Sequence, residues 1–183
     1  MTTATEIRHA PATGTWQLDP VHSSVNFEIS YLSGTFRGQF REIDAKLTVE
    51  GAGLSRLEGT AQVASVDVKD ENLAAHLQSP EFFDAARYPE LRFAADGFEL
   101  DGESVAVDGE LTIRGVTLPI ELTGRLTPSL TDPYGRARLG LALSASVDRT
   151  NFGLNWNLPL PTGEPALANE VSILAELFLV QEA

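Results

Sequence analysis

The side chains that could carry a reaction are few in this chain. It has three histidines and no cysteine, so thiolate catalysis, disulfides and cysteine-based metal sites are excluded. Asp19, His22 and Ser23 have the residue types of a catalytic triad, but neighbours on an extended segment point to opposite faces. No G-x-S-x-G nucleophile motif accompanies them. We therefore predict a structural role for His22 and no nucleophilic site.

A second polar group lies around His76, which is followed by Glu81 and Asp84. The two acids are one helical turn apart, and acids near a helix N-terminus are ordinarily just favourable with the helix dipole. A histidine-rich metal site needs at least two convergent histidines, and His22 and His76 belong to different elements, so no metal site is predicted. An enzyme that uses His76 with Glu81 or Asp84 on a small apolar substrate stays open as an alternative.

Composition and charge limit the partners. The 183 residues carry a formal net charge of −13. Nucleic-acid binding needs lysine and arginine to replace phosphate counterions, and anionic membrane surfaces repel an acidic protein. Hydrophobic residues make up 43% of the chain, which predicts a folded protein with a core. Stable membrane insertion is not expected, because no run of about 18 apolar residues occurs.

The N-terminal residues differ from the rest. Residues 1–14 are polar, contain Pro11 and Gly14, and are predicted to form a flexible tail. One domain over residues 15–183 remains. The first residues contain no apolar stretch of the length that a secretory signal needs. We therefore expect the protein in the cytoplasm.

Apolar and polar residues alternate through most of that domain, which is typical of β-strands with one buried face. Val25, Phe27, Ile29 and Tyr31 show this pattern most clearly. The phase slips near residues 41–42, which predicts a bulge or bend in a long strand. About eight such strands joined by short turns predict an all-β fold, an antiparallel barrel that is either filled by side chains or holds one small ligand.

One segment, at about residues 70–88, interrupts the alternation. Leu73 and Leu77 are spaced as on one face of a helix. The Ser79-Pro80-Glu81 sequence has the residues that start a second helix. We predict a short helical insertion here, with its second helix ending before Pro89.

Small side chains at inward positions suggest space inside the barrel. They are Gly38, Ala45, Gly59, Ala61, Ala95, Ala145 and Ala175. The insertion carries Phe82, Phe83 and Tyr88, aromatic side chains that suit a plug or lid. We predict an apolar cavity beneath them. The alternative is a fully packed barrel that acts as a stress-related scaffold or as a dimer, since aromatic residues also fill cores.

Several segments, in the same order and spread from about Trp16 to Gln181, resemble the YceI-like polyisoprenoid-binding family. They read DPVHSSVNF (19–27), FRGQF (36–40), HLQSPEFFDAARYPELRF (76–93), GELTIRGVTLPIEL (109–122), DPYGRARLG (132–140) and DRTNFGLNW (148–156). The resemblance implies an eight-stranded, lipocalin-like antiparallel barrel with a small helical insertion. It also implies a hydrophobic pocket for polyisoprenoids, isoprenoid quinones or related amphiphilic lipids, without catalysis and without a cofactor other than such a lipid.

The resemblance further implies which residues contact the ligand. The family's lid helices correspond to His76, Leu77, Phe82 and Phe83. The aromatic ends of its barrel correspond to Phe27, Phe36, Phe40, Phe93, Phe152 and Trp156. We add Ile29 and Arg37 to this predicted ligand-binding set.

Polar groups at the mouth would select the ligand's head group. The expected ones are His76, Arg37, Arg92 and Arg149. The chain departs from the family pattern at Tyr31, where a histidine is frequent, and at Ala74-Ala75, where Arg-Asp is frequent. Both changes remove polar groups, so the head group itself is not predicted, and neither is the oligomeric state, for which a homodimer is one option.

Overall fold

The fold is a closed antiparallel β-barrel with one short α-helix. A computed structural model describes residues 11–51 and 54–183. Within that part of the chain, twelve β-segments are present: β1 (Gly14–Leu18), β2 (Ser24–Tyr31), β3 (Gly34–Phe40), β4 (Ile43–Glu50), β5 (Leu54–Gln62), β6 (Val66–Asp67), β7 (Glu90–Asp96), β8 (Glu99–Asp101), β9 (Ser104–Ile113), β10 (Val116–Thr131), β11 (Ala137–Asp148) and β12 (Leu167–Gln181). The tail predicted over residues 1–14 lies mostly outside the described residues.

Pairing of β12 with both β1 and β2 closes the barrel. The order around it is β1, β4, β5, β7, β9, β10, β11 and β12, and β12 returns to β1. Since β1 and β2 lie end to end along β12, they count as one interrupted strand, as do β3 and β4. The result is the predicted eight-stranded barrel. Each strand of this ring has a neighbour on both sides, so closure removes the two free edges that an open sheet would have.

The predicted bend near residues 41–42 is confirmed. β3 ends at Phe40 and β4 begins at Ile43. At the bend the Arg41 amide donates to the Ser65 carbonyl, and the Glu42 carbonyl accepts from Gln62. The bend therefore changes the partner of the long strand, since β3 pairs with β6 and β4 pairs with β5.

The insertion contains helix α1 (Glu71–Gln78). Asp70 caps it, because its side chain accepts a hydrogen bond of 2.9 Å from the Leu73 amide and so satisfies one of the free donors of the first turn. Two short 3₁₀ helices, Val63–Ser65 and Arg149–Phe152, also occur among the described residues. None of these helices is long and apolar enough to cross a bilayer.

The predicted second helix is wrong. Residues 79–87 form two successive turns instead, and Asp84 has a φ of 52°. The amide of Phe83 donates to the Leu77 carbonyl and that of Asp84 to the Ser79 carbonyl, which is not the ladder of a helix. Neighbouring residues of a helix point about 100° apart, whereas these turns bring both Phe82 and Phe83 against the barrel interior.

The barrel interior has two different halves. In the half where β1 begins and β12 ends, here called the packed end, fully buried side chains fill the space: Trp16, Leu47, Leu57, Leu126, Leu141 and Leu179. The other half, here called the lid end, carries α1, the turns after it and the segment between β11 and β12. Its apolar residues form a separate cluster that includes Phe40, Leu77, Phe82 and Phe152.

Candidate functional site

A cavity of about 360 Å³ occupies the lid end of the barrel. Its walls come from every long strand and its roof from α1 and the turns. Apolar side chains predominate, and on β9 to β12 they are Leu111, Ile113, Ile120, Leu122, Leu143, Val147, Val171, Ile173, Ala175 and Leu177. A volume of this size lies in the range of small-ligand pockets, about 300–1,000 Å³.

The structure places nearly the whole predicted ligand-binding set in this cavity. The lining includes Phe27, Ile29, Phe36, Phe40, His76, Leu77, Phe82, Phe83, Phe93, Phe152 and Trp156. These residues come from three strands (β2, β3 and β7), from α1 and the turns after it, and from the segment between β11 and β12, so the barrel topology brings them together from distant parts of the sequence. Their role in binding stays a prediction, because a place in the cavity wall does not by itself show contact with a ligand.

Arg37 is the member of the predicted set that the structure places elsewhere. Phe36 points into the cavity, and strand pleating turns the next side chain to the opposite face. Arg37 therefore lies outside the barrel, where its Nε donates to Glu28 at 2.9 Å. Arg92 is likewise paired with Glu90, and its side chain is 69% exposed. Arg92 nevertheless contributes to the cavity lining, so of these two arginines only Arg37 lies away from the cavity.

Aromatic rings close the roof of the cavity. The ring centroids of Phe82 and Trp156 lie 5.2 Å apart. His76 stands edge-on to both rings, with centroids at 4.9 Å from each. Phe83 reaches down to Phe40, 5.8 Å away. The lid, which consists of α1 and the turns after it, therefore contacts the barrel through aromatic rings. Aromatic pairs favour tilted and edge-to-face geometries of this kind.

His76 is the titratable group of the roof. Its Nε2 lies 2.6 Å from a carboxylate oxygen of Glu81, while Asp84, buried in the turn, has its ion-pair partner in Arg87 at 3.9 Å. One of the two predicted pairings, His76 with Glu81, is thus present. No serine, cysteine or lysine among the described residues lines the cavity.

Arg149 is a buried cation beside the cavity, and only 4% of it is exposed. Its guanidinium donates to the carbonyls of Leu154, Trp156 and Ala168, so it ties the segment after β11 to the start of β12. Burial lowers the pKa of Arg149 against a smaller opposing effect of Asp148. An arginine nevertheless stays protonated at neutral pH.

The cavity reaches the surface beside the β2–β3 hairpin. Tyr31, at the end of β2, lines the cavity and is also 40% exposed. The following residue, Leu32, is 58% exposed and its amide donates to the carbonyl of Ala166. Tyr31 and Leu32 therefore place exposed apolar surface beside this part of the cavity wall.

The small side chains predicted to face inward lie in three different environments. Ala45, Gly59, Ala61 and Ala175 line the cavity as expected. Ala95 and Ala145 pack in or against the packed end instead. The space at Gly38 is taken by the ring of Phe27, so Gly38 does not contribute room for a ligand.

Sequence reasoning missed the cavity walls on β9 to β12. Apolar and polar residues alternate on these strands as well, for example at Ile120 and Leu122 on β10. Alternation cannot distinguish inward residues that line a void from those that fill the packed end. Among residues 11–51 and 54–183, no group of three or more His, Asp or Glu side chains is arranged to hold a metal ion.

Residues 16–179 match the family model of the YceI-like domain. The chain belongs to the YceI-like domain family. A relative from Enterobacter sp. strain 638, a UPF0312 protein, is 30% identical over 140 residues, which cover 75% of this YceI-like chain and 73% of that protein.

Solved structures show the same fold. BcnA of Burkholderia cenocepacia superposes on this YceI-like chain with a TM-score of 0.71 at 21% identity, covering 88% of this chain and 98% of BcnA. A polyisoprenoid binding domain from Saccharophagus degradans gives a TM-score of 0.64 at 16% identity, covering 91% of this chain and 98% of that domain. At these identities the likeness concerns the fold.

Proposed function

We propose that this protein binds a long-chain amphiphilic lipid, such as a polyisoprenoid or an isoprenoid quinone, in the barrel cavity, and carries or stores it without chemical change. The observation that carries the proposal is the apolar cavity under an aromatic lid. Membership of the YceI-like family and the fold shared with a polyisoprenoid binding domain support it.

The energetics favour such a ligand. Burial of apolar carbon releases about 0.8 kcal/mol per methylene, so a chain of about twenty carbons that was fully buried would contribute about 16 kcal/mol before the costs of association. Those costs amount to several kcal/mol. Because the gain has no direction, we expect weak selectivity for chain length.

Lipid extraction tests the proposal. Organic extracts of the purified full chain, analysed by mass spectrometry, should contain a long-chain lipid. Added prenols or quinones should bind to the delipidated protein. If no lipid co-purifies and neither class binds, the proposal is wrong.

Substitution of the lid aromatics gives a sharper test. Phe83→Asn should weaken binding of a prenol about tenfold, since it removes a ring from the cavity wall, with a smaller effect on folding. Phe178→Asn is the matched control, because Phe178 is 44% exposed and contacts His22 on the outside of the barrel. Equal losses of affinity in both variants would count against a ligand beneath the lid.

The pair of His76 and Glu81 favours one second candidate, an acid–base reaction on a small apolar substrate. His76→Gln tests it, because glutamine keeps a polar side chain but cannot exchange a proton at neutral pH. Unchanged composition of the bound lipid in this variant supports simple carriage, whereas accumulation of a different lipid would favour catalysis.

The location and assembly of the protein stay predictions. We propose a cytoplasmic protein, which cell fractionation checks. A homodimer is the other expectation, and sedimentation of the delipidated and lipid-loaded protein measures it.

A further inference from the structure

The guanidinium of Arg149 has more N–H donors than acceptors among the described residues. A guanidinium carries five N–H donors. Nε donates to Ala168 O at 2.8 Å, Nη1 donates to Leu154 O at 2.5 Å and Trp156 O at 2.9 Å, and Nη2 donates to Leu167 O at 3.5 Å. One Nη2 hydrogen is left without an acceptor among the described residues. An unmet donor on a buried side chain is uncommon in folded proteins.

The positive charge of Arg149 is also unmatched. No carboxylate of the described residues lies within 4 Å of it, although the chain has 26 acids and 13 bases. Asp148, its neighbour in sequence, accepts hydrogen bonds from the Thr150 amide and hydroxyl instead. Buried charges in proteins are ordinarily paired, whereas Arg149 is held by backbone carbonyls and feels the charge of Asp148 without direct contact.

The unmatched cation borders the apolar cavity at its lid end. Arg149 lines the cavity, and so does Trp156, whose carbonyl it holds. His76 contacts the same tryptophan ring. Arg149 and His76 therefore place polar groups at the lid end of a mostly apolar wall, whose other polar members include Asn26, Asp44, Thr60 and Arg92. Such a wall suits an amphiphile with one charged end.

We propose that Arg149 makes the cavity select amphiphiles whose head is an oxyanion, a carboxylate or a phosphate ester, with the head at Arg149 and the tail toward the packed end. This inference rests on the proposed function. Charge-assisted hydrogen bonds from a guanidinium to an oxyanion are stronger than those between neutral groups. A neutral or cationic head would leave the buried charge unmatched or meet it with repulsion.

Arg149 could instead serve only to hold the loop, and Arg114 provides the comparison. The Nη1 of Arg114 donates to Phe82 O at 3.0 Å and Gly153 O at 3.2 Å. No carboxylate of the described residues lies within 4 Å of it either, yet it does not line the cavity. Arg114→Gln therefore removes a carbonyl-bound arginine from the lid end without touching the proposed head-group position.

The test uses four probes with the same saturated tail: hexadecanoic acid, hexadecyl phosphate, 1-hexadecanol and hexadecylamine. Binding to the delipidated full chain is measured by calorimetry at neutral pH. We expect the acid, the phosphate or both to bind about tenfold more tightly than the alcohol, and the amine most weakly. The carboxylate and phosphate arms show which oxyanion is preferred.

Two arginine variants then test whether Arg149 causes the preference for anionic head groups. Arg149→Gln should abolish the advantage of the anionic probes over the alcohol, whereas Arg114→Gln should keep that advantage. Circular dichroism monitors folding. If Arg149→Gln does not fold, a crystal structure with hexadecanoic acid decides, since the carboxylate is expected within hydrogen-bond distance of Arg149.

Three outcomes overturn the inference. These are equal affinity for all four heads, an anionic preference that survives Arg149→Gln, or a carboxylate placed away from Arg149. Binding without a head preference leaves the proposed function intact. Failure of all four probes to bind contradicts the proposed function together with this inference.

Discussion

Individual side chains decide how much of the barrel is empty. Phe27 and Gly38 lie directly opposite each other on β2 and β3, and the ring of Phe27 covers the glycine. A Cβ at position 38 would overlap that ring and lie 2.9 Å from Val68 Cγ1. Glycine is thus needed here for the position of an aromatic ring that forms the cavity wall.

Gly38→Ala should displace the Phe27 ring into the cavity and weaken lipid binding. We expect a loss of stability of about 1–3 kcal/mol, as is usual for overpacking, and a larger loss of prenol affinity. Gly140→Ala is the matched control, because its nearest side-chain atom would lie at an ordinary 3.5 Å. Calorimetric binding and urea unfolding measure the two effects. Unchanged prenol affinity in Gly38→Ala would contradict the assigned role of the ring.

At the scale of elements, the lid has little stability of its own and depends on its contacts with the barrel. Helix α1 has only eight residues, so it is too short to be stable alone and depends on its cap and on its buried face. Leu73, His76 and Leu77 form that face and line the cavity. Any ligand that enters or leaves through the lid must disturb these contacts.

Asp70→Ala should therefore loosen the lid more than the barrel. Loss of an N-cap costs about 1 kcal/mol, and we expect faster ligand release, about fivefold, with little change in the unfolding midpoint. Asp108→Ala, an exposed position on β9, is the control. Stopped-flow displacement of a fluorescent lipid measures the release rate. Equal release rates in the two variants would show that α1 does not gate the cavity.

At the scale of the whole molecule, the barrel holds the apolar cavity at its lid end. The packed end has a filled centre and a separate hollow of about 210 Å³ that Leu47, Leu126 and Leu141 help to line. Ala61 lines the cavity, whereas Ala95 belongs to the packed end, and both are almost fully buried. The same residue type thus meets empty space at one end of the barrel and close packing at the other.

Replacing each of these alanines by leucine should have different effects at the two ends of the barrel. Ala95→Leu should destabilise the protein by about 1–3 kcal/mol, because the packed end has no room for three more carbons. Ala61→Leu should extend into the cavity, keep the stability near that of the parent, and abolish binding of long lipids. Thermal unfolding and calorimetry measure both. A reversed order of the stabilities would contradict the division of the interior.

A charge network near the packed end joins β11 to the residues that follow β1 and β10, and it makes stability depend on pH. Arg138 contacts Asp19 at 2.9 Å and Asp132 at 2.7 Å. For Asp19, desolvation opposes ionisation, but hydrogen bonds from His22, Arg138 and the Val21 amide outweigh it and lower the pKa to about 2. Hydrogen bonds from Arg138 and the Arg136 amide lower the pKa of Asp132 as well.

Acid should therefore weaken the fold between about pH 4 and pH 2. A carboxylate with a lowered folded-state pKa stabilises above its unfolded pKa, and this stability is lost as pH falls through the folded pKa. We expect Asp19 to contribute about 1 kcal/mol of this loss once solvent screening is included. Asp19→Asn should show a shallower fall in urea midpoint over the same range. Parallel curves for parent and variant would refute the assignment.

The sequence alone determined the strands, the bend near residues 41–42, the class of barrel and most of the cavity-lining aromatics. These follow from alternation, which is a local property of the chain, and from segments that resemble one family. It also predicted a second helix after Pro80, because a capping serine and a proline favour a helix start locally.

Only the tertiary structure decided the rest. The turns at residues 79–87 replace that helix because Phe82 and Phe83 both pack against the barrel, a long-range requirement that outweighs local preference. Arg37 lies outside because strand pleating gives each position of β3 a face. Arg149 is buried because the 3₁₀ helix after β11 places it against the segment that follows and the start of β12. Only closure of the barrel shows which inward positions meet a void. The void and the unpaired charge beside it arise from contacts between residues far apart in sequence, which no local pattern records.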